Sequence, residues 1–117
     1  MMTKVCHISD IHLGCSLGFQ LTGHGSDQFF IVNNGGTMVG YWNSCPHWPG
    51  STLPFKKDEY LDTSAMFIIC RGHGAAFDIK PGVCVSGPCV SESLKKIDLR
   101  IDSCGNILLR DLAEGAM

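Results

Sequence analysis

Charge is sparse in this chain. Asp, Glu, Lys and Arg make up 17% of it, and they sum to a net charge of −2. No basic stripe is present to meet phosphates, so nucleic acid is not an expected partner. No apolar run approaches the ~18 residues that a membrane helix needs. The opening Met1-Met2-Thr3-Lys4-Val5-Cys6-His7 has no apolar core followed by a cleavage site, as a secretory signal would. These absences lead us to expect a soluble, cytoplasmic protein without a membrane contact. A G-x-G-x-x-G fingerprint is also missing, which argues against a chain that oxidises a nicotinamide cofactor itself. Sustained helical periodicity, internal repeats and low-complexity segments are missing too.

What remains is a turn-rich chain of 117 residues with 14 glycines. That length suits one domain with a modest core. Short apolar segments at close spacing, separated by Gly-rich turns, indicate an all-β antiparallel sandwich or barrel. Strands are expected at 4–9, 16–21, 27–33, 37–42, 66–69, 75–79, 83–85, 94–101 and 107–109. Asn33-Asn34-Gly35-Gly36 is the strongest hairpin signal, because Asn and Gly tolerate positive φ. Residues 51–65 read as a polar, irregular spacer, and the run Lys56-Lys57-Asp58-Glu59 within it as a solvated face. Residues 111–117 read as a tail.

The chemistry lies in two short stretches, Cys45-Pro46-His47 and Cys70-Arg71-Gly72-His73. Each offers one thiolate and one imidazole. Structural zinc also takes two Cys and two His, but usually from C-x2-4-C and H-x3-5-H stretches. A centre with two Cys on one iron and two His on the other makes better sense of mixed pairs, each loop giving one ligand to each iron. A structural zinc domain stays open as an alternative.

After His73 the chain continues Gly74-Ala75-Ala76-Phe77-Asp78, with Gly82 and Ser86-Gly87-Pro88 further on. The string C-P-H…C-x-x-H-G-x-x-F-D…G-x4-G-P resembles the Rieske family, in its soluble ferredoxin-like branch. The resemblance implies an antiparallel β-sandwich of one domain, 1–117, with a cluster-binding subdomain inserted at about 43–77. It implies a Rieske-type 2Fe-2S cluster held by Cys45, His47, Cys70 and His73, with the two Cys on the inner iron. Trp48 and Pro88, with Pro49, would cover the cluster. The function implied is one-electron transfer from a reductase to an oxygenase or other acceptor, not catalysis. Docking to these redox partners would be transient, and the chain a monomer or weak oligomer.

In high-potential members of the family a Ser and a Tyr hydroxyl donate to cluster sulfurs, and a disulfide joins the two loops. The matching positions here are Ala75 and Phe77, and Gly50 and Gly72. A low potential is the expectation. Of the seven cysteines, Cys6, Cys15, Cys84, Cys89 and Cys104 are left over, most simply as thiols. Cys84 and Cys89 flank Pro88, which motivates a second function, a redox-sensing or regulatory module. His7, His12 and His24 lack ligand-like spacing and read as surface or packed histidines.

Overall fold

The computed structural model describes residues 2–20, 27–44, 53, 58–62, 64, 66–70, 74–87 and 92–110. Among the described residues ten strands follow one another: β1 Met2–His7, β2 Ser16–Phe19, β3 Phe29–Asn34, β4 Thr37–Trp42, β5 Phe67–Cys70, β6 Ala75–Asp78, β7 Cys84–Ser86, β8 Lys96–Ile97, β9 Leu99–Ile101 and β10 Asn106–Arg110. Among the described residues one 3-10 turn, Ile8–Asp10, interrupts them. All strand pairings are antiparallel, and they make three sheets in the orders β1-β10-β9, β2-β3-β4-β8 and β5-β6-β7.

Central to this arrangement is β3. Its run Phe29-Phe30-Ile31-Val32 is buried throughout. Alternate residues point to opposite faces of a strand, so such a run needs a cover on both sides. Phe29 and Ile31 join a core with Ile107 and Leu109 of β10. Phe30 and Val32 join a second core with Ile68, Cys70, Ala75, Phe77 and Cys84 of the third sheet. The second sheet is therefore a partition between two hydrophobic layers.

The β3–β4 hairpin forms where the sequence indicates. Asn34 pairs with Thr37, and Gly35 and Gly36 turn with φ of +62° and +96°. Two consecutive positive φ values define the primed turn that matches strand twist, and Gly adopts them at little cost. Asn33 Oδ1 accepts from the Gly36 N–H at 2.9 Å.

The expected strand 94–101 forms as two. β8 pairs with β4 in the second sheet, while β9 pairs with β10 in the first. Exposed Asp98 lies at the crossing. The pattern Leu94, Ile97, Leu99, Ile101 looks continuous in sequence, but two different pairing partners divide it. Because β4 and β8 are direct neighbours, β5 to β7 form an insertion between adjacent strands of the sandwich.

Tyr41 anchors that insertion. Its hydroxyl lies 2.5 Å from the Ile79 carbonyl and 2.7 Å from the Lys80 carbonyl, with one proton to donate between them. The β6–β7 turn can come this close because Gly82 has no side chain. A Cβ there would lie 2.6 Å from the Tyr41 ring.

Candidate metal centre

Of the four expected ligands, Cys70 lies among the described residues. It ends β5, is 1% exposed and pairs with Ala75 across the hairpin. Cys45, His47 and His73 lie outside the described residues, as do Trp48, Pro49, Gly50, Gly72 and Pro88. The described structure does show what holds each ligand stretch at its base.

The first stretch leaves β4 after Trp42. Asn43 N–H donates to the Gln28 carbonyl at 2.9 Å, extending the β3–β4 ladder by one residue. The Asn43 side chain then reaches forward: its Oδ1 accepts from the Leu53 N–H at 2.8 Å. Asn43 and Leu53 bracket residues 44–52, so one amide closes the base of the segment carrying Cys45 and His47. Leu53 itself is fully buried in the core that contains Cys70.

The second stretch leaves β5 after Cys70 and returns in β6 at Ala75. Gly74, at φ +74°, donates its N–H to the Cys70 carbonyl at 2.9 Å and closes that base. Gly87 brings a third segment against it. Its φ is +103°, and a Cβ on it would lie 2.8 Å from Ala75 Cα. The chain leading to Pro88 thus lies directly on the start of β6, where any side chain would push it off.

Beneath these bases lies a polar network that sequence reasoning missed. Tyr60, fully buried, stacks on Phe30 with ring centroids 4.1 Å apart. Its hydroxyl donates to Asp27 Oδ2 at 3.1 Å and accepts from Asn43 Nδ2 at 3.2 Å. Asn43 Nδ2 also donates to the Asp27 carbonyl at 2.9 Å. Burial, and after it the Asp27 charge, pushes the Tyr60 phenol well above its ordinary range, so it stays a donor. Gly18 leaves room for the carboxylate, since a Cβ there would overlap Asp27.

The expectation of a solvated face for Lys56–Glu59 holds at exposed Glu59 and fails at Asp58; Lys56 and Lys57 lie outside the described residues. Half-buried Asp58, at φ +67°, accepts from Gly18 N–H through Oδ1 and from Ser16 Oγ–H through its carbonyl, both at 2.7 Å. The polar spacer therefore contributes core and hydrogen bonds. The signal available for this was four scattered apolar residues, Leu53, Phe55, Tyr60 and Leu61, set among polar ones.

Two of the other sulfur and nitrogen groups, Cys84 and His7, have structural partners. The buried Cys84 thiol donates to the Ser86 carbonyl at 3.2 Å, and Cys89 lies outside the described residues. His7 caps the 3-10 turn through Ser9 and meets the Cys104 carbonyl at 2.7 Å, while His12 is exposed. Both fit surface or packed histidines; His24 lies outside the described residues. No helix among the described residues is long and apolar enough to cross a membrane.

A Rieske 2Fe-2S domain family model matches residues 1–103. The chain belongs to the Rieske family. No curated protein matches it by sequence. Solved structures with the same fold include the ferredoxin of carbazole 1,9a-dioxygenase from Nocardioides aromaticivorans IC177. It is 22% identical with a TM-score of 0.70, over 93% of this chain and 96% of that one. The Sphingomonas yanoikuyae B1 ferredoxin is 19% identical with a TM-score of 0.70, over 95% and 99%. A chain in a complex of reduced oxygenase and oxidized ferredoxin in carbazole 1,9a-dioxygenase is 21% identical with a TM-score of 0.69, over 92% and 91%. The Rieske cofactor is a 2Fe-2S cluster ligated by two Cys and two His. The described residues fit it. A buried Cys stands at a strand end, both loop bases close on one core, and Gly87 lets a third segment pack against the start of β6 beside them.

Proposed function

We propose that this Rieske protein is a one-electron carrier, a ferredoxin that accepts from a reductase and delivers to an oxygenase or other acceptor. The observation that carries this is the convergence of both ligand-loop bases on one buried core: Leu53 after the first loop and Cys70 before the second. When bound, the cluster supplies one-electron oxidation and reduction. The chain's own part is to hold and enclose it. Cys45 and Cys70 would bind the inner iron as thiolates. His47 and His73 would bind the outer one through neutral nitrogens. Trp48 and Pro88 would exclude water, the latter delivered by Gly87.

The cluster-binding subdomain at about 43–77 would take in β5 and most of β6, which continue through the same sheet into β7. Ferredoxin–oxygenase complexes are solved for the carbazole system, which favours an oxygenase as acceptor here. Such redox encounters are small and transient. A cytoplasmic monomer or weak oligomer, with no membrane or nucleic-acid partner, suits that role.

EPR of the dithionite-reduced protein, after iron and sulfide reconstitution, tests this. A spectrum of mixed His/Cys ligation is expected, lost on Cys45→Ser or His73→Ala. An all-Cys spectrum, or a sample that takes up only zinc, would sink the proposal.

A further inference from the structure

We infer that Asn43 and Tyr60 are positioning residues for the cluster: together they fix one ligand loop relative to the other. This rests on the reading that Cys45 and His47 are ligands. Asn43 uses both ends of its amide. Oδ1 closes the base of residues 44–52 on Leu53, and Nδ2 donates to the Tyr60 hydroxyl and the Asp27 carbonyl. Tyr60 carries the connection onward through its main chain. Its carbonyl accepts from the Ile69 N–H at 2.9 Å, and Ile69 directly precedes Cys70. Leu61 bridges to Ile68 on the same edge of β5. The path from one base to the other is thus an amide, a phenol and one β-bridge, with Asn43, Tyr60 and Ile68 buried and Leu61 and Ile69 half-buried.

A cluster bridging two loops tolerates little relative movement between them, because its four ligand bonds have fixed lengths. Neither Asn43 nor Tyr60 is a ligand type for this centre, and neither needs to touch it. Their contribution is to hold the loop bases at the spacing that the four ligands require before iron arrives. Asp27 supplies the fixed acceptor that orients the Tyr60 hydroxyl, and Gly18 gives that carboxylate room. An Asn amide does not titrate, and the Tyr60 proton is held tightly, so the tie is insensitive to pH over the neutral range.

The experiment uses the reconstituted holoprotein. Asn43→Ala and Tyr60→Phe are compared with Asn33→Ala. Asn33 is a buried amide on the same sheet whose bonds, to the Ile11 carbonyl and from Gly36 N–H, lie away from the loop bases. Cluster loss to an iron chelator is followed by visible absorbance, EPR linewidth is recorded in the reduced state, and folding by far-UV circular dichroism. Loss about tenfold faster than in Asn33→Ala, with a broadened reduced spectrum, is expected for both variants. Tyr60→Phe keeps the ring on Phe30, so it reports even if Asn43→Ala does not fold. Cluster lifetime and linewidth in Tyr60→Phe equal to those of the Asn33 control would overturn the inference. A wild-type spectrum without mixed ligation would instead overturn the ligand reading, before any variant is compared.

Discussion

Single atoms set two properties of this centre. At Ala75 and Phe77, both fully buried, the missing atoms are hydroxyls. By the family resemblance these positions would lie beside cluster sulfurs; neither side chain could donate there, and the reduced, more negative state would lack that stabilisation. The midpoint is expected near the bottom of the Rieske range, at about −150 mV. Phe77→Tyr or Ala75→Ser should move it upward in potentiometry, and a clearly positive wild-type midpoint would contradict the argument. At Gly87 the missing atom is a Cβ. Gly87→Ala would adopt φ +103° and meet Ala75 Cα at 2.8 Å. A destabilisation of about 1–3 kcal/mol follows from the backbone alone, with added loss from the displaced loop. Thermal melting and iron content per chain should both fall. Four candidate ligands could be proposed from sequence because metal chemistry restricts residue type and spacing together; of these, Cys70 lies among the described residues. Asn43, Asp27 and Tyr60 could not, because hydrogen bonds between residues 16 to 33 positions apart leave no local pattern.

Among the elements, the inserted sheet is attached to the partition through a shared core and through the Tyr41 hydroxyl, and the latter can be removed cleanly. Tyr41→Phe keeps the ring against Gly82 and Phe30 but leaves the Ile79 and Lys80 carbonyls without their donor. Losing a hydrogen bond that satisfies buried groups costs about 1–3 kcal/mol. Urea unfolding should show a lower midpoint at unchanged slope. A midpoint equal to wild type would mean that water replaces the phenol. Elements were legible where local chemistry decides them. Asn33-Asn34-Gly35-Gly36 specifies its own turn, and Thr37–Trp42 forms the strand expected of it. The division at Asp98 was not legible, because β8 and β9 differ only in their partners, β4 and β10. Nor was the burial of Leu53 and Tyr60, since the polar residues around them mask two core positions.

For the molecule as a whole, two hydrophobic layers share the second sheet, and their responses to solvent and to iron should differ. Alkali acts on both. Burial, and then the charge of Asp78, raises the Tyr41 phenol from 10.0 to about 12. Burial and then Asp10 raise the Cys6 thiol from 9.0 to about 11. Groups that bind protons more tightly folded than unfolded contribute stability that is complete below their unfolded pKa and lost as pH rises through the folded one. Melting temperature should therefore hold steady to about pH 9 and decline between about 9 and 12, less steeply in Tyr41→Phe. A melting temperature constant to pH 12 would contradict this. Iron removal should act on one layer. Both ligand-loop bases belong to the core of Phe30, Leu53, Tyr60, Cys70 and Phe77, whereas Ile11, Phe29, Ile31, Ile107 and Leu109 pack on the other face. Metal binding stabilises the structure that presents the ligands, and local opening is confined to units with their own packing. Amide hydrogen exchange of the apoprotein should thus speed up in β5 to β7 while β1 and β10, paired along their length, stay protected. Uniform acceleration in all three sheets would mean that the partition transmits the loss and that the protein unfolds as one unit.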